Sequence, residues 1–281
     1  MGIPIAPLKV FGPLTCLEFL GITLDTVLLQ ARLSEKKIKD LITKLREFLG
    51  RRKVTKKELL SLIGSLSFAC KVIVPGRSFL SRMISLSCTV RENHFKIYLS
   101  KQVKEDMNLW VSFLNNWNGR SFFLSKQVTS SADLDFATDA SGSIGYGSFF
   151  DGAWFAAKWA THQRLWSMAT KELFPIMVST MLWGSRWRNL RILVLCDNEA
   201  TVKLLNKGYT SCEPAATMLR KIVFQCMTHN FKLTAQHIPG VDNSVADALS
   251  RFKFEYFFKL RPSAEPNMTA VPDDMHSFGF K

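Results

Sequence analysis

The sequence predicts an α/β chain in two parts: a helical N-terminal module, then a domain built on a mixed five-stranded sheet. Three observations lead there. Apolar residues between 34 and 117 recur at steps of three and four, the period of helices that bury one face. Beyond residue 130, short β-forming runs alternate with helical patterns, which implies parallel pairing in part of the sheet. Asp151-Gly152 between two apolar runs marks a tight hairpin, so another part is antiparallel. A chain of 281 residues has room for both, since domains commonly hold about 100–200.

Residues 14–33 divide into extended pieces around Leu20-Gly21-Ile22 and Val27-Leu28-Leu29, with Asp25-Thr26 at the bend of a hairpin. A helix opens at Ser34, carries Ile38, Leu41, Ile42, Leu45, Phe48 and Leu49 on one face, and stops at Gly50. Thr55-Lys-Lys-Glu58 is a capping box, in which the Thr and Glu side chains each satisfy the other's orphan backbone N–H; it opens a second helix with Leu59, Leu62, Ile63, Leu66 and Ala69. A third helix begins near Pro75, and a fourth follows Ser100 with Val103, Met107, Trp110, Leu114 and Trp117 in step.

Character changes after Asn118-Gly119-Arg120 and the polar Thr129-Ser130-Ser131. A strand through Leu134, Phe136 and Thr138 is followed by Ile144–Phe150 and Trp154–Trp159, then a helix from about Ser167 to Gly184 and a strand Ile192–Cys196. Helices Asn198–Lys207 and Glu213–His229, a strand Phe231–Gln236 and a final helix Asn243–Arg251 complete the domain. The expected division is a hairpin at 1–33, a helical module at 34–129, the α/β domain at 130–252 and a tail at 253–281. With Pro, Asn, Asp and Gly spread through it, the stretch from Pro262 is expected to be disordered.

The chain has 37 Lys and Arg against 23 Asp and Glu, a formal charge of +14. Such an excess favours polyanionic partners, because each phosphate neutralised by Lys or Arg releases a counterion. Arg51, Arg52, Lys53, Lys56 and Lys57 form a one-signed run in the loop between the first two helices. Phosphate contact is the functional reading of that run; a solvated face is the ordinary one. No run of about 18 apolar residues suggests a membrane span, and the N-terminus lacks the layout of a signal peptide, so cytosol or nucleus is expected. The six cysteines, scattered without a Cys-x-x-Cys pair, read as buried thiols of a reducing compartment with neither disulfide nor zinc site.

Four acidic residues fall at telling places: Asp139 at the end of a strand, Glu172 in a helix, Asp197 just after a strand and Asp247 in the last helix. Residues past the carboxyl ends of neighbouring strands meet at one edge of an α/β sheet. Clustered carboxylates repel unless cations neutralise them, and hard divalent ions such as Mg²⁺ or Mn²⁺ prefer oxygen ligands. Two such ions can activate a water and stabilise the leaving oxygen of a phosphodiester. Taken singly, each acid has a bland alternative; Asp197 would also serve as a helix N-cap. Pro175, just after Glu172, requires that the helix either start late, near Thr170, or be kinked.

The order of elements and the positions of the four acids resemble the RNase H family. Ala-Thr-Asp-Ala-Ser (137–141), Thr-Lys-Glu-Leu-Phe-Pro-Ile (170–176), Cys-Asp-Asn-Glu-Ala-Thr-Val (196–202) and His-Ile-Pro-Gly-Val-Asp-Asn-Ser-Val-Ala-Asp-Ala-Leu-Ser-Arg (237–251) resemble the RNase H of retroelement polyproteins. Upstream, Cys16-Leu-Glu-Phe-Leu-Gly-Ile-Thr-Leu-Asp25 resembles a reverse transcriptase primer-grip hairpin and the helical half its thumb and connection, most closely those of DIRS-type (tyrosine-recombinase) retrotransposons. The resemblance implies an endonuclease that cuts the RNA strand of RNA–DNA hybrids, with two Mg²⁺, or Mn²⁺, on Asp139, Glu172, Asp197 and Asp247. No Tyr-x-Asp-Asp palm motif occurs, so DNA synthesis is not expected and the chain reads as a polyprotein fragment or a gene derived from one. His237 falls where many of these enzymes carry a mobile-loop histidine, although a histidine at a strand end is more often structural. Trp166 is a candidate for nucleic-acid contact. The alternative is a nucleic-acid-binding or interaction protein of retroelement origin without turnover.

Overall fold

The computed structural model describes residues 12–116, 120–122, 124, 126–210 and 212–278. Trp117 and the expected boundary at Asn118-Gly119 lie outside them. The chain forms two compact units, Met1–Phe123 and Leu124–Lys281.

In the first unit, β1 (Cys16–Phe19), β2 (Ile22–Asp25) and β3 (Gln30–Leu33) form an antiparallel meander, joined at β3 by β6 (Arg120–Phe122). The expected hairpin is displaced: the apolar pieces at 20–22 and 27–29 hold the turns. Leu20 and Gly21 sit at φ 50° and 78°. Asp25 Oδ1 accepts from the backbone N–H of Val27 and Leu28 at 3.1 and 2.8 Å, a local bond that competes with strand pairing. Helix α1 (Glu35–Gly50) buries Ile38, Leu41, Leu45 and Phe48. Lys53–Thr55 is not loop but β4, antiparallel to β5 (Lys96–Tyr98), and α2 (Lys56–Ala69) follows with the expected capping box at Thr55 and Glu58. The helix expected from Pro75 divides into a 3₁₀ stretch, Val74–Leu80, and α3 (Ser81–Ser87). In α4 (Lys101–Asn116) the first turn is capped by Ser100 Oγ, which accepts from Val103 N at 3.3 Å.

The second unit contains β7 (Val128–Ser130), β8 (Phe136–Ala140), β9 (Gly145–Phe150), β10 (Ala153–Lys158), α5 (Met168–Trp183), β11 (Arg191–Cys196), α6 (Glu199–Lys207), α7 (Ala215–His229), β12 (Lys232–His237), α8 (Ser244–Ser250) and α9 (Phe254–Leu260). Among the described residues these strands make two three-stranded sheets, antiparallel β10-β9-β8 and parallel β12-β11-β7, in place of one five-stranded sheet. The cause lies at 131–135. The chain turns there, with Asp135 at φ 47°, so the segment expected to run as one strand, including Leu134, splits into β7 and β8. Ser131 spans the break: its N–H donates to Leu193 O at 2.7 Å, its Oγ accepts from Leu195 N at 2.9 Å, and its carbonyl accepts from Phe136 N at 2.7 Å.

Helix α5 runs through the core, with Leu173, Phe174, Ile176, Met177 and Val178 all fully buried. Ser167 caps it by accepting from Thr170 N, so the helix does not start late, and Pro175 stands inside it. Burial on every side offsets the proline's missing backbone bond. Trp154, Trp159, Trp183 and Trp187 are core residues.

Of the expected tail, residues 254–278 are described, and they pack on the second unit. Helix α9 is followed by a strap over the second unit in which Met275 is fully buried and Phe278 is 7% exposed. Glu265 O accepts from Trp154 Nε1 at 2.7 Å, Thr269 N donates to Trp154 O at 2.7 Å, and Met275 O accepts from Gln163 Nε2 at 2.8 Å. Turn-forming composition concealed a few apolar anchors. Met275→Ala is therefore expected to lower the unfolding free energy by roughly 2–5 kcal/mol, read as a fall in the denaturant midpoint at constant slope. A free tail would leave the midpoint unchanged.

Candidate metal centre

Asp139 stands near the end of β8, 6% exposed, and pairs in register with Gly147 of β9. A Cβ at Gly147 would meet Leu249 Cβ at 2.5 Å, so only glycine lets α8 lie this close to the sheet. That approach brings Ser250, whose Oγ donates to Asp139 Oδ2, and Asp247, one turn earlier on the same helix. Asn243 secures the start of α8 by donating from Nδ2 to Thr138 O at 2.9 Å. Asp247 is half-exposed and paired with Arg251.

Glu172 comes from the second turn of α5 and is 3% exposed. It accepts from the backbone N–H of Ala140, while its Oε2 has no hydrogen-bond partner. Asp197 follows β11. The cap of α6 is Asn198, which accepts from Thr201 N at 3.1 Å, so Asp197 is not spent as a cap. A Cβ on Gly240 would come within 3.2 Å of Asp197 Oδ2, so the loop after β12 passes close to this carboxylate. His237 is exposed and its Nε2 lies 3.1 Å from Asp197 O, a tether at the rim between the ends of β12 and β11.

These side chains act on one another electrostatically. Burial, and then the charges of Asp139 and Asp197, push the Glu172 carboxyl up to about 10, against the Ala140 N–H. Burial raises Asp139 to about 6; the Ser250 hydroxyl opposes this, while Asp197 and Asp247 add to it. Glu172, Asp197 and a third group, Cys196, each offer a ligand atom within 4.8 Å of the others. A buried carboxylate with an unpartnered oxygen, among acids of its own sign, is a donor set that fits a hard divalent cation. The sequence reading passed over Cys196, Ser250 and Gly147. Strand alternation was the available signal for Cys196, since β11 buries Ile192, Val194 and Cys196 in turn. The expectation of buried thiols holds for Cys196 and Cys226, whereas Cys16, Cys88 and Cys212 are exposed; all six are free.

The basic run in the first unit divides. Arg51 pairs with Glu58 at 2.8 Å, and Lys56 Nζ donates to the carbonyls of Val90 and Arg91 at 2.9 and 3.0 Å, so both have structural work. Arg52, Lys53 and Lys57 are exposed. Trp166, the candidate for nucleic-acid contact, is half-buried against Trp159, Phe174 and Phe278, with ring centroids 5.4–6.4 Å away. No described helix is long and apolar enough to cross a membrane.

No protein-family model and no curated protein matches the chain. Among solved structures it is similar to a foamy viral protease-reverse transcriptase (dRH) in complex with double-stranded DNA, at 13% identity and a TM-score of 0.32, over 79% of this chain and 38% of that one. The same foamy viral enzyme in complex with RNA/DNA hybrid gives 13% identity and 0.32, over 79% and 29%. RNase H1 from the halophilic archaeon Halobacterium salinarum NRC-1 gives 17% and 0.31, over 43% of this chain and 95% of that one. The chain thus spans well under half the length of the foamy viral chains. None of these likenesses bears on the DIRS-type subdivision.

Because both raised carboxyls hold protons in the folded state that the unfolded chain has released, stability without metal falls as pH rises: through Asp139 from about 4 to about 6, and through Glu172 on towards about 10. Glu172→Gln removes the larger contribution. In chelator at pH 8 the variant is expected to melt above wild type, with a relief of about 2 kcal/mol raising Tm by roughly 4–8 °C. The gap should narrow at pH 5. Equal melting temperatures at pH 8 would mean that Glu172 is compensated in the fold.

Proposed function

We propose that the Leu124–Lys281 unit is a metal-dependent endonuclease that cuts the RNA strand of RNA–DNA hybrids, within a segment of a retroelement reverse transcriptase that lacks the polymerase palm motif. One observation carries the reading: the buried Glu172 carboxyl, one oxygen of which has no partner, lies in the field of Asp139 and Asp197, and Asp139 in turn lies in that of Asp197 and Asp247. The four motif strings of the sequence support it independently.

Asp139, Glu172, Asp197 and Asp247 would hold the cations. Two Mg²⁺ or Mn²⁺ would supply an activated water and charge neutralisation at the leaving oxygen. Ser250 and the Ala140 N–H fix the orientation of Asp139 and Glu172, and Arg251 holds Asp247. His237 serves as a rim group beside Asp197, and its tether to the Asp197 carbonyl ties its movement to the site. In the first unit the exposed Arg52, Lys53 and Lys57 are assigned to phosphate, with Arg51 and Lys56 supporting their scaffold. A second reading, hybrid binding without turnover, draws on the Asp247–Arg251 pair, which already occupies one carboxylate.

Asp139→Asn keeps the shape of the side chain and removes one anionic ligand. Cleavage of a labelled hybrid in Mg²⁺ or Mn²⁺ is expected to drop on the order of 100-fold or more while Tm in chelator holds or rises. Near-normal cleavage by the variant would remove Asp139 from the site, and a well-folded wild type that cuts under no metal condition would leave the binding-only reading. Neutralising Arg52, Lys53 and Lys57 together should flatten the salt dependence of hybrid binding, by about 0.9 in slope per lost contact on a B-form duplex. An unaltered slope would return these residues to a solvated face.

A further inference from the structure

We infer that Glu172, Cys196 and Asp197 form a mixed sulphur–oxygen site that captures a thiophilic divalent cation, Zn²⁺ or Cd²⁺, and that this ion excludes the hard ions from the proposed nuclease centre. The inference rests on reading the same carboxylates as metal ligands and adds the selectivity of the site.

Cys196 is the last residue of β11 and 1% exposed. Its sulphur and a carboxylate oxygen from each of Glu172 and Asp197 lie within 4.8 Å of one another. Ligand atoms around a tetrahedral Zn²⁺ stand about 3.6 Å apart, given bond lengths of ~2.0–2.3 Å, so side-chain movements of about 1 Å close the set. A buried cysteine ordinarily packs as a small hydrophobe. This one differs in its neighbours. One oxygen of the Glu172 carboxyl, Oε2, is buried without a partner, and the thiol's own hydrogen bond is a weak contact of 3.9 Å to Asn198 O. Three protein ligands with a further position for water is the arrangement of an open zinc site, and sulphur favours Zn²⁺ and Cd²⁺ over Mg²⁺. As the metal binds, the thiol proton and the proton held by the Glu172 carboxyl pass to buffer, and the sulphur and carboxylate lone pairs enter the bonds; nothing is oxidised or reduced.

The test uses the full chain carrying Cys16→Ser, Cys70→Ser, Cys88→Ser and Cys212→Ser, which leaves the two buried thiols. Cadmium chloride is titrated in by calorimetry and followed by the ultraviolet thiolate-to-cadmium absorption, with circular dichroism to verify folding. One Cd²⁺ per chain and a new absorption band are expected. Cys196→Ser, Cys196→Ala and Glu172→Gln should each weaken binding at least ~10-fold, the lower end of what losing even an indirect partner costs. Cys226→Ser should leave binding intact, and excess Mg²⁺ should compete with Cd²⁺. Absence of the band, or its survival in folded Cys196→Ser or Cys196→Ala protein, overturns the inference. A band in protein that cuts no hybrid overturns the nuclease reading and leaves the soft-metal site standing; cleavage without a band does the reverse.

Discussion

The second unit is organised around one costly feature, a carboxyl group buried among others of its own charge. Glu172 is 3% exposed, and the helix that carries it is buried continuously from Thr170 to Thr180. It therefore cannot swing out to water, the usual escape of a buried acid. The charged form is disfavoured by desolvation and again by Asp139 and Asp197. Holding such a group needs a frame that does not yield. Aromatic packing supplies much of it, with Tyr146, Trp159 and Trp166 all around Phe174 on the turn beside Glu172. Ring contacts of this kind, one edge-on and two tilted, contribute about 0.5–1.5 kcal/mol each beyond area burial.

The same demand explains the close seating of α8. Asp247 and Ser250 reach Asp139 only because Gly147, its partner on the neighbouring strand, leaves room for Leu249. The break at Ser131 has a different consequence. The two sheets share one hydrophobic core and are hydrogen-bonded across the break by one serine and its flanking backbone, which together bear on the relative placement of Asp139 at the end of β8 and Asp197 after β11. The strap from Glu265 to Phe278 closes over the outer side of the unit and anchors Trp154 and Gln163.

Much of this was legible in the chain. Period-two alternation and Asp151-Gly152 located β8, β9 and β10, and the capping box at Thr55 and Glu58 formed as the side-chain chemistry requires. The four acids were visible because Asp139 and Asp197 sit at strand ends and Glu172 and Asp247 inside recognisable helices, each within a motif string. What the sequence concealed were features set by tertiary contact or by local competition. Asp25 makes a turn out of apolar residues that look like strand. Ser131 and Asp135 divide a strand that alternation alone would continue. The strap is rich in turn formers, and its order comes from Met275 and Phe278 finding a core whose existence no local window reveals. The role of Gly147 likewise depends on a helix about 100 residues further along the chain.

The nearby cations are disposed so as to leave the buried acids uncompensated. Lys171 is adjacent to Glu172 and itself buried, yet its ammonium donates to the carbonyls of Gly142 and Arg164. Consecutive helix residues point about 100° apart, so the lysine holds the loop after β8 while the glutamate faces the centre. Arg251 is committed to Asp247 at the surface. Had stability alone shaped this region, one of these cations would sit against Glu172, because an unpaired buried charge is among the most destabilising features a fold can carry. Both positive groups instead brace the walls and leave the carboxyl oxygen without a partner. Strain of that kind, a titratable group held far from its ordinary range by a rigid surround, persists where a ligand relieves it.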